Sequence, residues 1–456
     1  MSFPRYSQYK DSGVEWLGEV PAHWAVVELK HLADVSTGMA KGKDHAGRST
    51  ISVPYLRVAN VQNGYLDLED IALMEIPAAD LERYSLKPGD VLMNEGGDFD
   101  KLGRGCVWNG QIDPCITQNH VFAVRPRSVR SEWLSAITGS DYARFYFKTR
   151  AKQSTNLASI SSTNLMALPV VLPPADEQTA ITAFLEREMA KIDALVAEQQ
   201  RLIELLKEKR QATISHAVTK GLSPDVVMRA SDIEWLPEVP AHWRTVQVKH
   251  LARPGEKTFT DGDWIEAPYI TDEGVRLIQT GNVGVGVYKE QGFRFVSAST
   301  FEELGCTEVA PRDVLICRLD GPVGRACLAP DLGGRMITSV DNTILKVADE
   351  VAPDFVVALF SSVPWIDWLD ALCRVGGGFR LRVSRSQLGE LRVPLPPLSE
   401  QLSIARYLDS QAAKWAALAA EAQCAIDLLQ ERRAALISAA VTGQIDVRAI
   451  ADRAAA

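Results

Sequence analysis

The chain is written twice, and that limits what it can fold into more than any other feature. Residues 15–24 (EWLGEVPAHW) return as 234–243 (EWLPEVPAHW), and 29–33 return as 248–252, both displaced by 219 positions. Farther on, LPPxxEQ stands at 172–178 and at 395–401, and Ala217-Val218-Thr219 is matched by Ala440-Val441-Thr442, displaced by 223. A repeat of such long period means two copies of one domain. Between these anchors a thin skeleton persists: PGDVLM (88–93) against PRDVLI (311–316), Gly103-Arg104 against Gly324-Arg325, and Ile116-Thr117 against Ile337-Thr338. The remainder diverges. A kept scaffold with changed surfaces suits one architecture reading two targets; duplication followed by drift is the plainer explanation.

Each copy opens with strand-like runs (VPYLRVANV, DVLMNE and HVFAVRP; then GVRLIQTGNV, DVLICRL and NTILKV) broken by Gly, Asn and Asp turns. Residues 132–150 and 354–372 read as helix. Pro173-Pro174 and Pro396-Pro397 end the irregular chain, and Asp176 or Ser399 then stands where a helix cap is expected. More than 40 residues without Gly or Pro follow in the first copy. Leu185, Ile192, Leu195, Leu202 and Leu206, with Gln199 as a polar inset, mark a pairing seam, as do Leu408, Trp415, Leu418 and Leu429 in the second copy. Each helix would span roughly 60 Å. Alone it would leave an apolar stripe in water, so the two are expected to pair antiparallel, with Ala422 and Ala425 allowing close approach. The expected fold class is α+β: two pseudo-repeated mixed α/β domains (1–170 and 223–394) joined by two long antiparallel coiled-coil helices (171–222 and 395–456).

Chemistry-bearing patterns are scarce. Gly38 to Lys43 falls one residue short of a phosphate loop and puts Asp44 where a magnesium-binding hydroxyl belongs. Glu28-Leu29-Lys30 is a lone ExK whose counterpart is Gln247-Val248-Lys249, so the copies share no nuclease site there. His23, His31, His242 and His250 recur in pairs beside Trp and Leu, which favours structural work over a catalytic base. The seven cysteines form no CxxC pair and read as reduced filler, without a metal. No run of about 18 apolar residues and no leader pattern occurs, so a soluble cytoplasmic protein without membrane association is expected. The net charge of -9 argues against a freestanding DNA binder, although 125–152 and 374–392 are locally basic.

Together the two WLxEVPAHW segments, the NEGGDFDKLGRG run at 94–105, the LPPxxEQ helix starts and the AVTxG and AVTGQ helix ends resemble the specificity subunits of type I restriction-modification systems, over essentially the whole length. The resemblance implies a non-catalytic subunit whose two target-recognition domains each read half of a split sequence in double-stranded DNA. It implies long helices that set the half-site spacing and dock two modification subunits. Those partners carry S-adenosylmethionine and methylate adenine, with restriction subunits in the full complex, so no cofactor is expected on this chain. They would also supply much of the phosphate neutralisation.

Base reading needs Arg, Lys, Asn or Gln able to reach a groove edge. In the first domain Asn60, Gln62, Asn63, Lys101, Arg104, Gln153 and Asn156 are the candidates; in the second, Asn282, Arg318, Arg325, Arg380 and Arg382. The helix faces around 198–210 and 423–433 are candidates for the partner surface. The competing reading is a coiled-coil tandem-domain scaffold that binds proteins.

Overall fold

The computed structural model describes residues 3–42, 48–97, 101–153, 158–319, 321–375 and 381–448. They divide into two compact units, one of residues 1–200 and 423–456 and the other of 201–422. Each long helix therefore gives one half of its length to each unit.

In the first unit a four-stranded antiparallel sheet runs in the order Ala33–Thr37, Val121–Pro126, Val91–Asn94, Gly105–Val107. In the second the order is Phe259–Asp261, Asn342–Leu345, Val314–Cys317, Ala326–Leu328. Even the register is kept, with Val91 opposite Val124 and Val107 where Val314 lies opposite Leu345 and Leu328. These strands are fully buried runs of Val, Leu, Ile and Met, as expected for a sheet covered on both faces. A second sheet in each unit contains one parallel pair, Ile116–Thr117 on Thr50–Leu56 and Met336–Thr338 on Val275–Ile278. The repeated Ile-Thr dipeptide is that strand.

The two stretches expected as single helices are each broken. Ser131–Thr138 and Asp141–Arg150 are separated at Gly139-Ser140, where the Ser140 hydroxyl caps the second helix by accepting from the Ala143 N–H. Pro353–Phe360 and Val363–Val375 are separated at Ser361-Ser362. Among the described residues no single helix is long and apolar enough to cross a membrane.

The repeated motifs meet in space. Ala25–Glu28 pairs with Pro169–Leu172, and Arg244–Gln247 with Arg392–Leu395, so each domain ends beside its beginning. The glutamate of LPPxxEQ then receives the PAHW segment. Glu177 accepts from the Trp24 indole (3.0 Å) and the Tyr6 hydroxyl (3.1 Å) and pairs with His23 Nε2 at 2.6 Å. Glu400 accepts from the Trp243 indole (3.1 Å) and pairs with His242 at 2.8 Å. The adjoining Gln178 and Gln401 bond the proline-pair turns through the Pro173 and Pro396 carbonyls. His23 and His242 thus tie helix starts to domains.

The long helices are Ala175–Lys220 and Leu398–Val441. In the first unit Leu185 shares a core with Leu436, Ala440 and Val441, and Arg433 pairs with Asp193. In the second, Ala217 and Val218 share a core with Ile404 and Leu408. The start of one helix lies beside the end of the other in both units, which makes the pair antiparallel. Along the middle of the first helix the covered positions include 185, 189, 192, 196, 199, 203 and 206, a four-three alternation. Leu195 (49% exposed) and Leu202 (40%) sit one residue off this seam, which Val196 and Ile203 occupy instead. On the second helix Leu408 and Trp415 are buried and Leu429 half-buried, but Leu418 (46% exposed) gives its place to Ala419.

Candidate nucleic-acid interface

Two segments that the sequence offered separately come together in the first unit. Gly96–Gly97 pairs with Ala158–Ser159, which pairs with Lys152–Gln153, so the glycine-rich run and the loop before the long helix form one small ribbon. Lys152 and Gln153 are exposed on it. Gly103, in the turn at 101–103, has a φ of +68°, and its missing side chain leaves room for the Phe147 ring. Gly324, at +76°, does the same against Leu369 and Trp365. Packing against an aromatic helix accounts for the Gly-Arg pair that both copies kept.

The second unit repeats the ribbon's hydrogen bonds. Glu95 donates its N–H to His120 O and accepts from Ile160 N; Arg318 donates to Asp341 O and accepts from Val383 N. Gly96 faces Ser159 where Leu319 faces Arg382. The backbone therefore fixes the equivalences, and at each the chemistry changes: Glu95 for Arg318, His120 for Asp341, Ser159 for Arg382. His120 lies 3.4 Å from Glu95, whereas Arg382, half exposed, reaches Asp341 at 2.7 Å.

Several expected base readers are placed inside. Asn60 and Asn282 are buried, and each organises its own turn. The Asn60 amide donates to Asp67 O and Asp70 O and accepts from Arg57 N; Asn282 donates to Lys289 O and Gln291 O and accepts from Gln279 N. Arg318 bonds Val383 O and Val340 O and pairs with Asp261, and burial lowers its guanidinium from the ordinary range. Arg325 donates to four backbone carbonyls, of Val283, Leu319, Pro322 and Thr280. Bonded in this way to loop backbone, these four residues hold loops in shape, and reaching a base would break those bonds. Gln62 is half-buried and donates to Ala59 O, and Asn63 is half-buried beside Gly139. Lys101 and Arg104 are half-buried in the glycine-rich turn and already engaged. Gln153 and Arg382 remain on the surface. Asn156 and Arg380 lie outside the described residues.

Among the described residues no three His, Cys, Asp or Glu side chains converge as metal ligands. Glu28 pairs with Lys30, and in the second copy Gln247 and Lys249 both engage Glu390.

Residues 21–205 match the type I restriction modification DNA specificity domain. The chain is 25% identical over 403 residues to the MjaX specificity subunit of Methanocaldococcus jannaschii, covering 86% of this chain and 87% of that one. It is 21% identical to the EcoKI specificity subunit of Escherichia coli K12, covering 86% and 82%. Residues 21–205 thus carry a type I specificity domain, and the chain is similar to type I specificity subunits over most of its length. Among solved structures, a chain from a type I R-M system studied for complex assembly and conformational transition shares its fold at a TM-score of 0.66, with 17% identity and 92% and 98% of the two chains covered. The HsdS subunit of Thermoanaerobacter tengcongensis does so at 0.52, with 17% identity and 93% and 98% covered.

At this interface the positions that the sequence did not single out are Glu95, His120, Ser159, Asp341 and Lys152. The signal was present in the repeat, since Ser159 and Arg382 stand 223 residues apart, as do the LPPxxEQ motifs. Only the strand pairing shows that these positions share a ribbon.

Proposed function

We propose that the two units read the two halves of a split double-stranded DNA target, one half each. The observation that carries this reading is the ribbon: one backbone arrangement holds Glu95, His120 and Ser159 in one unit and Arg318, Asp341 and Arg382 in the other, and of these the exposed pair Ser159 and Arg382 differs most in what it offers to DNA. Drift alone has no reason to spare the hydrogen-bond skeleton while putting an exposed arginine, Arg382, where the other unit has Ser159. Gln153 and Arg382 are the residues of choice for base or phosphate contact, with Lys152 beside them. The chain is non-catalytic in this reading. Two modification subunits carrying S-adenosylmethionine methylate adenine, and restriction subunits join them in the full complex. Leucines left off the seam support partner docking on the helices: Leu195 and Leu428 in the first unit, Leu202, Leu205 and Leu418 in the second, all well exposed.

The test is selection of duplexes from a randomised library by the chain assembled with modification subunits from its own genome. A two-part motif is expected. Arg382→Ala should relax one half by about 1–3 kcal/mol, roughly fivefold to 150-fold, and leave the other half unchanged. Equal loss at both halves, or a motif in one block, would overturn the reading.

A further inference from the structure

The second unit contains a cavity of about 550 Å³ bounded by the end of the first long helix, the start of the second, the turn at 285–288 and the helix Pro353–Phe360. That volume is in the range of small-molecule sites, which are mostly apolar with a few placed polar groups. Ile214, Leu408 and Trp415 supply apolar wall. Two polar atoms of lining residues are buried without a hydrogen-bond partner: the Gln211 amide oxygen and the Tyr288 hydroxyl. Such atoms call for a bound group, because a buried donor or acceptor left unpaired forfeits the hydrogen bonds it made with water. Arg210 also lines the cavity, and among the described residues it has no ion-pair partner. Lys207 beside it is held by Glu204, and Asp354 by Arg312. Asp409 completes the charged lining.

The duplication supplies an internal control. On the helices, positions 223 residues apart correspond, so Gln211 is matched in the first unit by Ala434 and Ala412 by Met189. Tyr288 bridges Val283 as Leu66 bridges Val61, which makes Leu66 its counterpart. The same fold is thus built in the first unit with two apolar residues in place of the polar pair and a large side chain in place of a small one. Neither the unpaired atoms nor the small residue at 412 is a requirement of the scaffold.

We propose that this cavity binds a small amphipathic anion: an apolar body the size of one or two aromatic rings against Trp415, an N–H or O–H donor to Gln211 Oε1, and an acidic group facing Arg210. The probe is 8-anilinonaphthalene-1-sulfonate, which combines a fused ring, a bridging N–H and a sulfonate. Titrated into the full chain, it should fill one saturable site and draw energy transfer from tryptophan. Ala412→Met, which installs the first unit's residue, and the double variant Gln211→Ala/Tyr288→Leu should each weaken binding at least tenfold with the melting temperature held. Met189→Ala, which makes space in the first unit without the polar pair, should create no second site. Should Ala412→Met fail to fold, the double variant decides alone. No saturable site in the parent chain, or unchanged affinity in the folded variants, overturns the proposal. So does a crystal of the probe-soaked chain with only water in the cavity.

Discussion

Glu177 does the work of three separate anchors, holding the rings of His23, Trp24 and Tyr6 from a nearly buried position. Glu177→Gln leaves buried donors facing a neutral amide, and about 1–3 kcal/mol of stability should be lost, read by urea unfolding. Glu400 has two of the three partners and a more exposed carboxylate, so Glu400→Gln should cost clearly less in the same measurement. The cysteines give a second prediction at this scale. Burial pushes the thiols of Cys106, Cys115 and Cys327 up to about 12, from an ordinary value near 9. Their folded values are raised, so their contribution to stability is whole below pH 9 and is lost as the pH climbs towards 12. At pH 8 the exposed Cys424 should react with a thiol-specific reagent long before these three, and fast modification of all would show the cores to be open. The PAHW and EQ residues were legible as a repeat, but their joint was not, because 153 residues separate Trp24 from the carboxylate it meets. Asn60 and Asn282 misled for a related reason: an amide suited to reading a base is equally suited to satisfying a turn, and composition cannot tell which.

Both long helices were evident from their length without Gly or Pro, and their mutual pairing from the apolar stripe that each would otherwise expose. The exact seam was less evident. Leu195 and Leu202 are larger and more apolar than a neighbour such as Val196, so a reading by residue type selects them, while the four-three alternation from Leu185 through Met189 and Ile192 passes one position to the side. The two stripes should separate experimentally. Ile192→Ala removes a buried side chain (4% exposed) and should cost about 2–4 kcal/mol. Leu195→Ala should change stability by less than about 0.5 kcal/mol and instead weaken association with a modification subunit. Calorimetry of the two variants, with and without that partner, distinguishes the roles. Helix breaks at Gly139-Ser140 and Ser361-Ser362 escaped notice because apolar periodicity continues across both, and a capping serine leaves only a local mark.

At the scale of the molecule, the domain duplication and the α+β class followed from the repeat, whereas the makeup of the units did not. Residues 423–448 join the first domain, some 400 positions upstream, through contacts that no local pattern foretells. Asp446 donates its N–H to Pro4 O at 2.7 Å, and the Tyr9 hydroxyl donates to Gly443 O at 2.8 Å. Within the first unit the segments at 4–9 and 443–446 are therefore neighbours. Fusing residue 448 to residue 3 through a short linker and opening the chain at 222–226, just beyond the first long helix, should give a permutant that melts cooperatively with the parent's circular dichroism. If the permutant aggregates or melts in two steps, the closure is not self-sufficient. Where it holds, neither half ranks as first, and the order in which a genome spells the two modules carries no structural information.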